Sequence, residues 1–245
     1  MRSSQELEKL ALKLRKKWGE DDYSPVDIFA LSLLRDELTI VKMSMPEIMS
    51  GMCVKADQDI IIALNSSMSL GRQRFTLAHE LYHAYYDETM TTFICQKKES
   101  SLVSEKEADI FASYFLMPGL ALDYFQEEKG FNQWNLRSII TAEQFFGMSH
   151  RAMLFRLLSE GQITKTDYEE YSTIPVLRMA YYMGYSSKLY SASSDDEKYG
   201  CMGNYIRKVQ EAYDRGLIGD GKRDELLLDA FVNEDFEAGG VQVDD

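Results

Sequence analysis

The chain has 245 residues, of which 45% are hydrophobic and 12% aromatic, so it can bury a sizeable core. Its formal net charge of -13 argues against a protein that works by binding nucleic acid, since that binding depends on Lys and Arg. The first residues lack a signal-peptide pattern, no stretch approaches the roughly 18 apolar residues of a membrane span, and three widely separated cysteines fit a reducing compartment. We therefore expect a cytoplasmic protein that binds neither nucleic acid nor membranes directly.

The first third of the chain contains both helical and strand patterns. Apolar residues at helical spacing predict a helix over about 4–18, and Ser24 followed by Pro25 predicts the start of a second helix. Three short β-branched runs follow, at about 39–43, 51–55 and 59–64. The break between the last two is short enough for a hairpin, so we predict a small antiparallel sheet with the third strand at its centre.

The rest of the chain is predicted to be helical. One strong helix follows Ser69 and runs to about Tyr86, and another follows Ser104 until Met117-Pro118 ends it. Later helices are predicted at about 119–128, 135–146, 150–160, 203–215 and 221–232. The pattern over about 135–162 is typical of a helix-turn-helix, but its few basic residues favour structural support over DNA reading.

Two of the three histidines fall in His79–His83, which reads H-E-L-Y-H. Histidines four positions apart lie on one face of a helix about one turn apart, the geometry needed to hold one zinc ion. Glu80 is rotated about 100° from His79, so it can reach a water molecule at the zinc without ligating the metal. The motif predicts His79 and His83 as zinc ligands and Glu80 as the general base.

A catalytic zinc needs a third protein ligand, and Glu105 and Glu107 are the candidates. Ser104 and Glu107 have the spacing of a capping box, which would give Glu107 a structural role at the helix start. Glu105 lies three positions before Ala108, at the edge of the buried stripe, so we expect it to face the histidine helix. We predict Glu105 as the third ligand.

Two further residues are candidates for supporting roles. Asp109 lies one turn after Glu105 and is predicted to accept a ring N–H of His79 or His83, with an ordinary exposed aspartate as the alternative. His150 is a candidate transition-state stabiliser, although an exposed histidine near a helix start is the commoner case. The residues that compete for that second role are Tyr85, Tyr86 and Arg156.

Two segments resemble the ImmA/IrrE metallopeptidase family: 74–83, which reads RFTLAHELYH, and 105–118, which reads EKEADIFASYFLMP. The resemblance implies N-terminal helices, a small sheet, two zinc helices and a helix-turn-helix-like subdomain over about 5–165. It also places the third zinc ligand at Glu105. The implied activity is site-specific cleavage of a DNA-binding repressor, often one encoded nearby.

These observations predict an α+β fold in which a small antiparallel sheet packs on the zinc-binding helices. Residues 1–165 form the predicted zinc metallopeptidase domain, and 172–245 form a helical C-terminal appendage with an acidic tail. The predicted function is zinc-dependent endopeptidase activity on a helix-turn-helix repressor. The alternative is a non-catalytic, metal-stabilised module that sequesters a repressor or antitoxin-type partner, which Glu80 disfavours because a structural zinc needs no base.

Overall fold

The computed structural model describes residues 1–87, 101–131 and 133–230, so Cys95 and the predicted acidic tail lie outside the described residues. The helices within these ranges are α1 (Ser4–Lys17), α2 (Ile28–Leu33), α3 (Leu70–Tyr86), α4 (Ser101–Leu116), α5 (Gly119–Lys129), α6 (Leu136–Phe146), α7 (His150–Ser159), α8 (Lys165–Ser172), α9 (Val176–Tyr182), α10 (Asn204–Asp214) and α11 (Asp220–Ala230). The strands are β1 (Leu38–Met43), β2 (Gly51–Ala56), β3 (Asp59–Asn65) and β4 (Gly200–Gly203). The predicted α+β class is confirmed.

The four strands form one sheet in the order β2-β3-β1-β4. β2 and β3 form the predicted antiparallel hairpin, and β3 is an interior strand as expected. β1, however, runs parallel to β3, with Leu38 opposite Ile60. The prediction of an antiparallel sheet is therefore wrong, and the sheet is mixed. Strand direction depends on how residues 44–50, which connect β1 to β2, pass the position that β3 occupies between them, and the apolar runs themselves do not encode this.

The C-terminal region adds the fourth strand. β4 pairs antiparallel with β1, so that Gly203 lies opposite Thr39. We predicted no strand here because the sequence Gly-Cys-Met-Gly lacks the β-branched and aromatic residues that indicate strands. The region after about 172 is thus mainly helical but also forms one edge of the sheet, while the domain division at that point stays a prediction.

Gly203→Ala should weaken the attachment of β4. Gly203 has φ of 94°, and a Cβ there would lie 2.6 Å from the carbonyl oxygen of Leu38. Both the left-handed conformation and the clash should lower the free energy of unfolding by about 1–3 kcal/mol. Urea denaturation of Gly203→Ala and Gly200→Ala tests this, since Gly200 lies in the same strand with open space around it. Equal loss of stability in both variants would contradict the steric explanation.

Two predicted helix starts are wrong. α2 begins after Asp27, whose carboxylate accepts a hydrogen bond from the Ala30 amide at 3.3 Å, and not at Ser24. The Ser24 hydroxyl instead donates to Asp21 at 2.7 Å and closes the preceding turn. α4 begins at Ser101, so Ser104 lies inside the helix and its hydroxyl donates to the Asp87 carboxylate. The capping pattern was misleading because a tertiary partner was available to Ser104.

α3 lies at the centre of the core. α3 packs against α4 and against β2 and β3, and α1 packs on the other helix of this pair, α4. Ala108 and Ala112 of α4 are fully buried, and their small side chains allow the two helices to approach closely. Among the described residues, no helix combines the length and apolarity required to cross a membrane.

Candidate metal site and cleft

The site is built on α3 and α4. His79 and His83 project from one side of α3 with their Nε2 atoms 3.2 Å apart. Glu105 of α4 reaches the same point, with carboxylate oxygens 3.3 Å from His79 Nε2 and 3.6 Å from His83 Nε2. One ligand atom from each of the three residues lies within 4.8 Å of the others. The structure therefore brings together the three residues predicted as ligands.

The spacing of these atoms fits a tetrahedral metal ion. Zinc binds imidazole nitrogen at about 2.0–2.1 Å, so two nitrogens at a tetrahedral angle would lie about 3.3–3.4 Å apart. The observed Nε2 separation of 3.2 Å is close to that value. The side chains thus have nearly the arrangement that a tetrahedral ion would require, with little rearrangement.

The outer nitrogens of both rings have carboxylate partners. His79 Nδ1 lies 2.9 Å from Asp109 Oδ1, and His83 Nδ1 lies 2.9 Å from Asp87 Oδ2. A carboxylate only accepts, so each Nδ1 is the donor. In each neutral ring the lone pair of Nε2 therefore points toward Nε2 of the other histidine. Two lone pairs at this distance repel each other unless a proton or a cation lies between them. The arrangement is therefore one that a metal ion stabilises.

Burial and hydrogen bonding shift the pKa values of the two histidines in opposite directions. Burial disfavours protonation of His79, but hydrogen bonds to Asp109 and Glu105 outweigh it and raise the pKa of His79 to about 10. Burial lowers the pKa of His83 below its ordinary value. The metal-free site consequently holds one proton on His79 at neutral pH, in the position that a metal ion would take.

Metal binding should therefore release about one proton at pH 8. Because the pKa of His79 is raised to about 10, the proton is present at all lower pH values and competes with the metal. The apparent metal affinity should rise about tenfold per pH unit between pH 8 and 9. Proton release can be measured with an indicator dye in weak buffer, and affinity by competition with a chromophoric chelator. An affinity independent of pH in this interval would contradict the inferred proton.

Glu80 lies beside this cluster and is only 7% exposed. Burial of the carboxylate raises its pKa to about 7, against the opposing effect of a charged His79. Gly51 of β2 passes close by, since a Cβ at that residue would lie 3.5 Å from Glu80 Oε1. Glu80 thus lies between the candidate metal ligands and the edge strand of the sheet, with a pKa suited to proton transfer near neutral pH.

Glu107 has a structural role that differs from the predicted capping role. Its carboxylate accepts hydrogen bonds from the Tyr82 hydroxyl and from the backbone amide of Arg2, and it pairs with the Arg2 guanidinium at 3.2 Å. These contacts join the start of the chain to both α3 and α4. They also direct the Glu107 side chain to partners other than the histidines.

His150 lines the same cleft, but both of its ring nitrogens already have partners. Nδ1 lies 2.6 Å from Glu143 Oε1, and Nε2 lies 3.0 Å from the carbonyl oxygen of Tyr171. The competing candidates for its predicted role have partners elsewhere: the hydroxyl of Tyr85 donates to Glu37, that of Tyr86 donates to the carbonyl of Leu10, and Arg156 pairs with Glu160. Of these four residues, His150 is the one that lines the cleft.

The cleft has a volume of about 880 Å³ and brings together parts of the chain that are distant in sequence. The histidines and Glu80 are contributed by α3, and Glu105 and Asp109 by α4. The remaining walls include 48–52 at the start of β2, the first residues of α7, and Tyr168, Val176 and Tyr190 from the last third of the chain. The predicted helix-turn-helix segment therefore forms part of the cleft wall.

Three residues of the site were missed by sequence reasoning. Asp87, one turn after His83, could have been found from its spacing, since a carboxylate four positions on can reach the ring. Glu143 and Tyr190 had no such signal. Glu143 contacts His150, and Tyr190 contacts Glu143, only because tertiary packing brings them together.

Two histidines from an H-E-x-x-H helix and a carboxylate from a neighbouring helix, set in an open cleft, define a metallopeptidase-type site. The model of the Peptidase_M78 family, described as an IrrE N-terminal-like domain, matches residues 37–158, and the chain therefore contains a domain of this family. The resemblance noted from the two sequence segments is thus confirmed. No curated protein matches the chain. The family and the three-residue cluster together indicate a metal ion.

Proposed function

We propose that the chain is a zinc-dependent endopeptidase in which His79, His83 and Glu105 bind the metal and Glu80 is the general base. The observation that supports this most directly is the convergence of three ligand atoms within 4.8 Å beside a buried carboxylate, in a cleft open to solvent. The family match supports peptidase chemistry in the same part of the chain.

The donor set favours zinc in a catalytic role. Two imidazoles and one carboxylate are a frequent ligand set of catalytic zinc, whereas structural zinc sites use four protein ligands, commonly including cysteines. Within the described ranges the cluster contains three ligand residues, His79, His83 and Glu105. Three ligands leave one position for water or substrate.

The residues around the site have complementary roles. A bound zinc ion would polarise both a water molecule and the peptide carbonyl. Glu80, buried beside these ligands, would accept the proton of the attacking water and pass it to the leaving amine. Asp109 and Asp87 accept the Nδ1–H groups of the two histidines and so hold the rings with Nε2 facing the metal position.

The proposed substrate is a DNA-binding repressor of the helix-turn-helix type. Charge supports this choice, because a chain with a net charge of -13 repels nucleic acid but attracts the basic surfaces that DNA-binding proteins carry. The cleft volume of about 880 Å³ is large enough for a short segment of a protein chain. A cytoplasmic location remains part of the proposal because its substrate would be there.

The test is a defined mixture of the zinc-loaded protein and any helix-turn-helix protein that is encoded beside it. We expect a partner fragment of fixed size on a gel, and no fragment when a chelator is present. Mass spectrometry of the fragment identifies the cleaved bond. A stable complex in which the partner stays intact would instead support the alternative, a metal-stabilised module that sequesters its partner.

A further inference from the structure

A second group of polar side chains lies in the wall of the cleft that also contains the candidate metal ligands. Glu143 of α6 is 0% exposed, and its two carboxylate oxygens have different partners. Oε1 lies 2.6 Å from His150 Nδ1, and Oε2 accepts a hydrogen bond from the Tyr190 hydroxyl at 2.7 Å. Both partners line the cleft. A buried carboxylate is costly unless it is paired, so these contacts fix the orientation of both partners.

The hydrogen bonds determine which ring atom of His150 carries a proton toward the cleft. Nε2 lies 3.0 Å from the carbonyl oxygen of Tyr171, which can only accept, so Nε2 carries a hydrogen. This holds whether the shared proton between Nδ1 and the carboxyl group of Glu143 belongs to the ring or to the acid. His150 is therefore held as a hydrogen-bond donor at Nε2.

The Nε2–H group of His150 can change its hydrogen-bond partner at a small cost in free energy. The Tyr171 carbonyl lies in the last turn of α8 and also accepts a hydrogen bond from the Ile174 amide at 3.1 Å. The carbonyl keeps this hydrogen bond if an acceptor on a bound peptide takes over the Nε2–H of His150 while Glu143 holds Nδ1. An oxygen of a bound peptide can therefore replace the carbonyl of Tyr171 without leaving a buried polar group unpaired.

We propose that His150 donates its Nε2–H to the substrate carbonyl oxygen as negative charge develops there, and that Glu143 and Tyr190 are positioning residues that hold the His150 ring in place through Nδ1. The inference rests on the proposed peptidase function. The step is a hydrogen bond without proton transfer, and it stabilises the oxyanion. Tyr190 lies outside the family-matching residues 37–158, so the C-terminal region would complete the reactive site.

Two zinc-binding probes separate this role from a structural one. The first is a peptide analogue with leucine on each side of a phosphinate, whose oxygens occupy the place of the oxyanion. The second is mercaptoacetyl-leucine amide, whose sulfur binds zinc without an oxyanion oxygen. Calorimetric titration of the zinc-loaded full chain gives the affinity for each probe. We expect His150→Ala to weaken phosphinate binding about tenfold or more and thiol binding less than about threefold.

The positioning role of Glu143 is tested by a separate measurement on the His150 ring. Glu143→Leu removes the partner of Nδ1 and frees the ring, whereas in Glu143→Gln the amide N–H can donate to Nδ1, so the ring stays in place with its hydrogen on Nε2. Since the chain has only three histidines, the ¹⁵N signals of His150 can be assigned by comparison with His150→Ala. We expect the Nε2 signal to stay protonated in Glu143→Gln, with phosphinate affinity close to that of the wild type, and Glu143→Leu to bind the phosphinate clearly more weakly than Glu143→Gln does.

Tyr190→Phe removes one hydrogen bond to Glu143 and should weaken phosphinate binding by a smaller factor. Tyr185→Phe is the matched control, because the Tyr185 hydroxyl also bonds to α6, at Thr141, but the residue does not line the cleft. This control should bind both probes as the wild type does. If His150→Ala does not fold, the phosphinate affinities of the Glu143 and Tyr190 variants test the role of His150 instead.

The outcomes also separate this inference from the proposed function. Failure of the thiol probe to bind zinc-loaded wild type would show that the metal has no open position, which overturns the proposed function. Thiol binding together with unchanged phosphinate affinity in His150→Ala, Glu143→Leu and Tyr190→Phe would overturn the role of His150 alone. A lower melting temperature with both probe affinities unchanged would mean that the three residues only stabilise the fold.

Discussion

Glu80→Gln should lower cleavage of the proposed repressor substrate by a factor of about 10² or more, while zinc stays bound at about one equivalent per chain. Glutamine keeps the shape of the side chain and its ability to hydrogen-bond, but it cannot accept the proton of the attacking water. Glu80 is buried beside the candidate ligands but is not one of them, so metal binding should survive the change. Cleavage rates from gel densitometry and metal analysis of the same samples measure both effects.

The matched control is Glu211→Gln, which makes the same chemical change on an exposed surface of α10. It should cleave like the wild type. Fragments that appear at the same rate with Glu80→Gln would exclude Glu80 as the base. Loss of zinc in that variant would show instead that Glu80 contributes to the metal site.

His83→Ala should abolish stoichiometric zinc binding, and His79→Ala and Glu105→Ala should weaken it strongly. Each change removes one of three atoms that converge within 4.8 Å, and the effect should exceed the roughly 10–100-fold loss expected for an outer hydrogen-bond partner such as Asp109. Metal analysis and competition with a chromophoric chelator give the affinities. Added zinc should raise the melting temperature of the wild type but not that of His83→Ala.

The matched control for the third ligand is Glu107→Gln, two positions after Glu105 on the same helix. Its carboxylate bonds to Tyr82 and Arg2, so this change should lower stability and leave zinc affinity nearly unchanged. If Glu107→Gln loses zinc and Glu105→Ala retains it, the third ligand has been assigned to the wrong residue.

Sequence by itself determined the features that depend on local backbone geometry. The spacing of His79 and His83 places both rings on one side of a helix because an α-helix repeats every 3.6 residues. Helical periodicity likewise gave most of the helices, with bounds close to those observed. The hairpin of β2 and β3 followed from a short break between two strand patterns, since a short connection leaves few alternatives to antiparallel pairing.

Only the tertiary structure decided which distant groups meet. The parallel pairing of β1 with β3, and the addition of β4 from 157 positions beyond the end of β1, depend on chain crossings that no local pattern records. The capping pattern at Ser104 predicted a helix start, yet the hydroxyl bonds to Asp87 because packing of α3 on α4 brings the two together. The contact of Glu143 with Tyr190 spans 47 positions and has the same origin. Helical and strand periodicity is set by neighbouring residues, whereas the partners of a buried polar group are set by how whole elements pack.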